Sequence, residues 1–235
     1  MTGPRMPLLL DANVEAVLAR LHAQSRRELP SLLGYFLLRS IPQWMKGRRL
    51  TDLDDRDTLF LRRKLIALAR DKGEFCYLMC RALGASRIVE VGTSFGVSTI
   101  YLAAAARDNI AATGRDALVI SSEIDPAKAA GARDNLEAAG LGDVVELRVG
   151  DARETLGSLA SPIDFLLIDS WIPLARPILE MLKSSLRPGA LVLCDNTGRF
   201  KAEYRDYLGY VRDPANGFRS IHIPFSGGME VTLRC

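Results

Sequence analysis

The sequence predicts an α/β protein: an open, mostly parallel sheet with helices on both faces, finished by an antiparallel C-terminal hairpin. Three observations predict it. From Arg87 onward, short apolar runs alternate with helix-length segments, the pattern of right-handed strand–helix–strand crossovers. The runs are nearly continuous in Val, Ile and Leu, as strands buried on both faces are. The last two runs, Phe218–Pro224 and Met229–Arg234, are separated only by Phe225-Ser226-Gly227-Gly228. That is too short for a crossover helix, so they must pair antiparallel.

Taken in order, Ile88–Val91 reads as the first strand, followed by a glycine-bearing turn and an Ala-rich helix through Ala106. Ala117–Ser122 is the second strand. Asp125-Pro126 then opens a helix with a cap residue and a proline at the first helical position. Val144–Val149 is the third, and Asp151 with Glu154 three residues on resembles a capping box. Ile163–Ile168 and Ala190–Cys194 are the fourth and fifth, joined by a helix ending before Arg187-Pro188-Gly189. With the hairpin this makes a seven-stranded sheet. Residues 1 to 84 show helical spacing and no strand: Val14, Val17, Leu18 and Leu21 repeat at that period, as do Leu61, Leu65, Leu68 and Ala69.

Composition narrows the function classes. The 235 residues are 48% hydrophobic and 25% charged, with a net charge of +3, enough apolar material for one substantial core. Arg26-Arg27, Arg48-Arg49 and Arg62-Arg63-Lys64 are short, scattered basic groups. They read as solvated helix faces or as a rim for an anionic substrate, not as the basic stripe of a nucleic-acid binder. Cys76, Cys80, Cys194 and Cys235 form no Cys-x-x-Cys pair. Cys76 and Cys80, four apart, share a helix face as buried thiols. Leu8–Leu10 is too short for a signal-peptide core, and Leu32–Met45 is interrupted by Gly34, Arg39 and Pro42. A cytoplasmic protein without membrane partners is expected.

The chemistry-bearing residues fall at strand ends. The first strand runs into Glu90-Val91-Gly92-Thr93-Ser94-Phe95-Gly96-Val97-Ser98. Its glycines allow a sharp turn and close approach of a ligand to the main chain. The helix that follows offers free N–H groups to a carboxylate or phosphate. The spacing is Gly-x-x-x-Gly, so the dinucleotide fingerprint is not met; alone, such a turn can also be purely geometric. Glu123, ending the second strand, is placed to accept both hydroxyls of a ribose, or it is a solvated strand-end carboxylate. Asp151, after the third, sits where an adenine would lie or simply caps its helix. His222 alternates with Ile221 and Ile223 and reads as solvent-facing or structurally bonded. His22 is likewise a lone histidine. Trp171 is a pocket wall or a packing residue.

Taken as a set, these motifs resemble the catechol and caffeoyl-CoA O-methyltransferase group. They are Lys72-Gly-Glu-Phe75, Ile88-Val-Glu-Val-Gly-Thr-Ser-Phe-Gly-Val-Ser-Thr99, Glu123-Ile-Asp-Pro126, Gly150-Asp-Ala152, Ile168-Asp-Ser-Trp171, Cys194-Asp-Asn196 and Gly227-Gly-Met-Glu230. The resemblance implies a Rossmann-like seven-stranded methyltransferase sheet over residues 72–235. It leaves residues 1–71 as a helical extension forming part of the pocket or a dimer contact. It also implies S-adenosylmethionine, with its amino-acid end over Gly92, Thr93, Ser94, Gly96 and Ser98, beside Glu90 and Asp169. Its ribose would lie on Glu123 and its adenine near Asp151 and Ala152. The group's metal site maps onto Asp169, Asp195 and Asn196, with Asp169 as the catalytic residue. Hard oxygen ligands of this kind suit Mg²⁺ or another divalent cation; read without the resemblance, Asp169 can cap a loop and Asp195-Asn196 can make a turn.

The sequence departs from that pattern at one place. Members similar to catechol O-methyltransferase carry a lysine three residues beyond the first metal aspartate. Here the position is Ile172, next to Pro173, and the later aromatic position is Ala175. Without that lysine, a bound metal must take more of the deprotonation of a hydroxyl whose ordinary pKa is ~10. The expected activity is divalent-metal-assisted O-methylation of a small hydroxylated molecule. The alternatives are a metal-independent N-, O- or carboxyl-methyltransferase, and a protein that binds the cofactor without methyl transfer.

Overall fold

The computed structural model describes residues 8–9, 11–45, 55–159 and 162–235. Arg48-Arg49 and Leu10 lie outside them. Seven strands form one sheet: β1 (Arg87–Val91), β2 (Leu118–Glu123), β3 (Val145–Val149), β4 (Ile163–Ile168), β5 (Leu186–Asp195), β6 (Phe218–Ile223) and β7 (Met229–Arg234). Their spatial order is β3-β2-β1-β4-β5-β7-β6. β1 to β5 pair in parallel, and β7 inserts antiparallel between β5 and β6. The sheet is open and doubly wound as the sequence predicts, and the antiparallel finish separates it from the all-parallel dinucleotide-binding sheet.

Alternation along each strand feeds two apolar layers. Ile88, Phe165 and Leu167 face one side, where α3 (Arg70–Leu83) and α4 (Val97–Thr113) pack. Val89, Val91, Leu166 and Ile168 face the other, against α7 (Ala175–Leu182) and α8 (Arg205–Arg212). The Ala-rich helix runs past Ala106 to Thr113. Its run Ala103–Ala106 is wholly buried, because small side chains let α3 and the N-terminal helix α1 (Ala12–Met45) lie close over it. Cys76 and Cys80 are buried free thiols on α3, as their spacing predicts. α5 (Pro126–Ala138) starts with Asp125 accepting the Ala127 N–H at 2.9 Å.

α1 (Ala12–Met45) lays Val14, Val17, Leu18 and Leu21 on the core, and α2 (Asp55–Arg62) follows it. The helix passes through Gly34 and Pro42 without ending. No helix among the described residues is long and apolar enough to cross a membrane. Arg26, Arg27, Arg62 and Arg63 are solvated.

Two sequence expectations are corrected. Leu61, Leu65 and Leu68 do not share a helix: α2 ends at Arg62 and residues 64–69 are irregular. All three leucines are buried; Leu61 belongs to α2, and the inward-pointing Leu65 and Leu68 of the loop continue its helical spacing. The fifth strand starts four residues early, at Leu186. Between Ile163↔Leu186 and Phe165↔Leu191 the register shifts, and Arg187-Pro188-Gly189 form a bulge in which Gly189 has φ +82°.

His22 lies buried between α1 and α4, 3.1 Å from the Tyr101 hydroxyl. Burial, reinforced by the Arg70 and Arg26 charges, lowers its pKa to about 4. The folded state therefore keeps His22 neutral while the unfolded chain protonates it below about 6.5. Its contribution to stability is present above that pH and is lost as pH falls toward the folded value. Melting of the wild type against His22→Gln from pH 7.5 to 4.5 should show a gap that closes by about 2 kcal/mol over this window.

Candidate active site at the reversal of strand order

Strand order reverses at β1, which has β2 on one side and β4 on the other. Open α/β sheets take ligands at such a reversal, beyond the carboxyl ends of the strands. Gly92 makes the turn there. Its φ is +100°, and a Cβ would stand 2.0 Å from the Asp169 carbonyl oxygen. That approach is fixed by the neighbouring strand, since the Asp169 N–H donates to Val91 O at 3.0 Å. Ser94 (φ +49°) and Gly96 (φ +86°) continue the left-handed path into α4. No side chain caps that helix, so its first N–H groups remain for a partner.

Glu123 is tied to the same turn. Its Oε2 accepts the Ser94 N–H at 2.7 Å and its Oε1 the Asp125 N–H at 2.8 Å. It is therefore not a solvated strand-end carboxylate; only 7% of it is exposed. Glu90 lies beneath the turn, completely buried. Its Oε2 accepts the hydroxyls of Thr99 and Ser121, each at 2.5 Å, while Oε1 has no partner among the described residues. Burial raises the Glu90 pKa, opposed by the hydroxyls of Ser121, Ser98 and Thr99. Thr93 joins this group through Ser121 Oγ at 2.5 Å.

Asp151 caps α6 (Ala152–Thr155), accepting the Arg153 N–H at 2.9 Å. The Arg153 guanidinium and that backbone bond hold its pKa at about 2. Gly150, just before it, donates to Glu123 O at 2.9 Å, so Asp151 and buried Ala152 follow directly on the Glu123 end of the crevice.

Asp169 lines the pocket above the glycine turn. Burial raises its pKa well above the ordinary value, with the charges of Asp195 and Glu90 adding to the effect and Lys72 opposing it. Asp195 ends β5 and is pushed the same way by burial, again against Lys72. Lys72, which heads the first motif of the resemblance but is given no role by sequence reasoning, completes this end. It reaches across from α3, 2% exposed. Its Nζ donates to Asp195 Oδ1 and, at 3.3 Å, to Gly228 O. Gly73 permits the reach: a Cβ there would sit 2.4 Å from the Tyr101 ring, so α3 lies hard against α4.

The donor set suits a hard cation in kind. Among the described residues no three His, Cys, Asp or Glu cluster as a metal site, so an ion would rest on two carboxylates and an amide. Ser170 Oγ and Thr197 Oγ1, next to these residues in the chain, are buried without partners among the described residues. Asn196 (φ +60°) donates Nδ2 to Asp195 Oδ2 at 2.9 Å. Its Oδ1 lies 2.6 Å from where a Gly227 Cβ would be. Turning that amide over presents Oδ1 on the Asp195 side. Lys72 keeps the other Asp195 oxygen.

The lysine-free position stays empty of charge. Ile172 packs against the core on the α7 side and Ala175 is buried. Trp171 is 49% exposed. His222, on β6, is exposed, with Nδ1 3.8 Å from Glu230; its neighbour Ile221 is exposed as well, so the alternation does not mark a buried face.

The chain is similar to known methyltransferases in sequence and fold. Residues 89–197 match a family model described as a methyltransferase domain. A catechol O-methyltransferase of Mycobacterium tuberculosis is 36% identical over 135 residues, 57% of this chain and 58% of that protein. One from Niastella koreensis is 35% identical over 138 residues, 57% of this chain and 59% of its own length. The match thus spans less than two thirds of these curated relatives. A cofactor-bound M. tuberculosis structure, Rv0187, superposes with a TM-score of 0.68 at 25% identity, covering 93% of this chain and 89% of its own. The O-methyltransferase TomG of Streptomyces achromogenes, solved with SAM, gives 0.63 at 25% identity, covering 72% and 82%.

Proposed function

We propose that this chain, a methyltransferase-fold protein related to the catechol and caffeoyl-CoA O-methyltransferases, transfers a methyl group from S-adenosylmethionine to an oxygen of a small hydroxylated molecule. The observation that supports the reading is the hydrogen bond donated by the Ser94 N–H to Glu123 Oε2, which ties the turn to the strand-end carboxylate. The turn amides and the start of α4 take the donor's carboxylate. Glu123 accepts from its ribose, and Asp151 with Ala152 borders its adenine. Glu90 holds Thr99 and Ser121 beneath the turn and keeps the floor rigid. Asp169 walls the reacting end. The acceptor oxygen attacks the methyl carbon in line; the C–S bond breaks, its electron pair stays on sulfur, and the hydroxyl proton passes to water. Alignment of acceptor and donor supplies much of the rate.

Asp169, Asp195 and Asn196 are the residues that would hold a divalent cation, which when bound supplies charge to stabilise the acceptor's oxyanion. Lys72 on Asp195 favours a second reading, in which its ammonium is the cation of the site and no metal is needed. S-adenosylhomocysteine formation from S-adenosylmethionine with a catechol as acceptor, with and without chelator, separates the two. Loss of turnover in chelator, restored by Mg²⁺ in the wild type but not in Asp195→Ala, supports the metal. Unchanged turnover removes it. Release of no S-adenosylhomocysteine with any hydroxylated acceptor contradicts enzyme function and leaves a cofactor-binding protein.

Residues 72–235 form the donor-binding domain in this reading. The buried thiols suit a cytoplasmic setting. The exposed Leu29, Leu33, Leu37 and Leu38 on α1 suit contact with a second copy, which light scattering tests by mass.

A further inference from the structure

The irregular segment 64–69 roofs the donor pocket. Leu65, Ile66 and Leu68 face the floor made by Gly92–Phe95 and Ser98. Such a segment has no ladder to satisfy its backbone, so its N–H groups must find acceptors elsewhere. Two of them find α1. The Leu65 N–H donates to Glu28 Oε2 at 2.9 Å, and the Ala67 N–H to Ser25 Oγ at 3.3 Å.

The sequence of α1 is written for this. Its buried stripe Val14, Val17, Leu18, Leu21 turns polar at Ser25 and Glu28 and apolar again at Leu32. The polar pair falls where the stripe meets bare backbone. The same helix also reaches the floor. Arg20 donates to Asn135 Oδ1 at 2.7 Å, and Asn135 Nδ2 donates to the Phe95 carbonyl at 2.9 Å. One helix thus holds both sides of the pocket. The space between them is about 10 Å³, the size of a single water site, and an amino-acid group needs more. The roof must lift to admit a ligand and reseat upon it.

We propose that Glu28 and Ser25 are positioning residues that latch the 64–69 roof over the donor site, so that α1, outside the matched methyltransferase domain, sets how long the donor stays. The proposal rests on the donor-site reading above. Neither residue touches the donor; both act through the Leu65 and Ala67 amides.

The test measures release of S-adenosylhomocysteine by stopped-flow tryptophan fluorescence. Hydrogen exchange of residues 63–69 is followed in the ligand-free proteins. In Glu28→Ala, exchange of the segment should quicken and release should accelerate about tenfold, the factor expected from losing one hydrogen bond to a charged acceptor. Glu28→Gln, whose amide oxygen still accepts the Leu65 N–H, should recover both. Ser25→Ala provides the same readings should Glu28→Ala fold poorly. Wild-type release rates in Glu28→Ala and Ser25→Ala overturn the latch while leaving the donor site standing. Equal acceleration in Glu28→Gln and Glu28→Ala also overturns it, since loss of charge and not of the bond would then be responsible. A wild type that binds no S-adenosylhomocysteine overturns the donor reading and the latch together.

Discussion

Gly92→Ala should abolish donor binding and lower the melting temperature by about 10 °C. Two effects add. At φ +100° an L-residue is strained, and the new Cβ would lie 2.0 Å from the Asp169 carbonyl oxygen. That oxygen is backbone on an adjacent strand and cannot rotate away. The left-handed conformation alone costs roughly 1–2 kcal/mol, and relief of the overlap must separate the tips of β1 and β4. A total near 4 kcal/mol corresponds to about 8–16 °C in a chain of this size. Parting the tips also moves Asp169 off the turn, so calorimetry with S-adenosylmethionine should show affinity falling more than about 100-fold. Gly34→Ala is the control: a Cβ there meets nothing within 4 Å, and a half-buried helical site with open space should gain up to about 1 kcal/mol.

The second large effect concerns the ion pair beneath the site. Lys72 is 2% exposed and Asp195 5%. Removing either partner leaves a buried charge with its counter-charge gone, a change that typically costs about 3–5 kcal/mol. Lys72→Met and Asp195→Leu should each be destabilised by that amount in urea unfolding. The double variant should recover most of it, because two apolar chains replace the pair. Equal and additive losses would show that the two side chains do not depend on each other. Methyl transfer should be lost in Asp195→Leu and in the double variant, since Asp195 also belongs to the candidate acceptor end.

Much of this arrangement was legible in the residues. Strand ends could be found because apolar runs stop sharply at Gly92, Glu123, Asp169 and Asp195, and a parallel sheet brings such ends to one edge. The hairpin was legible from the length of its connection. What escaped were partnerships set by tertiary packing. Lys72 and Asp195 are 123 positions apart, and nothing in either neighbourhood marks the other. A glycine after a lysine was the available signal, since Gly73 is what lets α3 approach α4. Leu61, Leu65 and Leu68 carried helical spacing into a loop because Glu28 and Ser25 compete successfully for the backbone there. The start of β5 was hidden by Pro188 and Gly189, which rarely occur inside a strand except at a bulge.

The most direct measurement is a calorimetric titration of S-adenosylhomocysteine into the wild type and into Glu123→Ala. Saturable one-to-one heat that weakens about 10- to 100-fold in the variant, as loss of hydrogen bonds to a charged acceptor requires, is the outcome expected if sugar and amino-acid ends share this crevice. No heat from the intact chain, or the same affinity in both proteins, would contradict it.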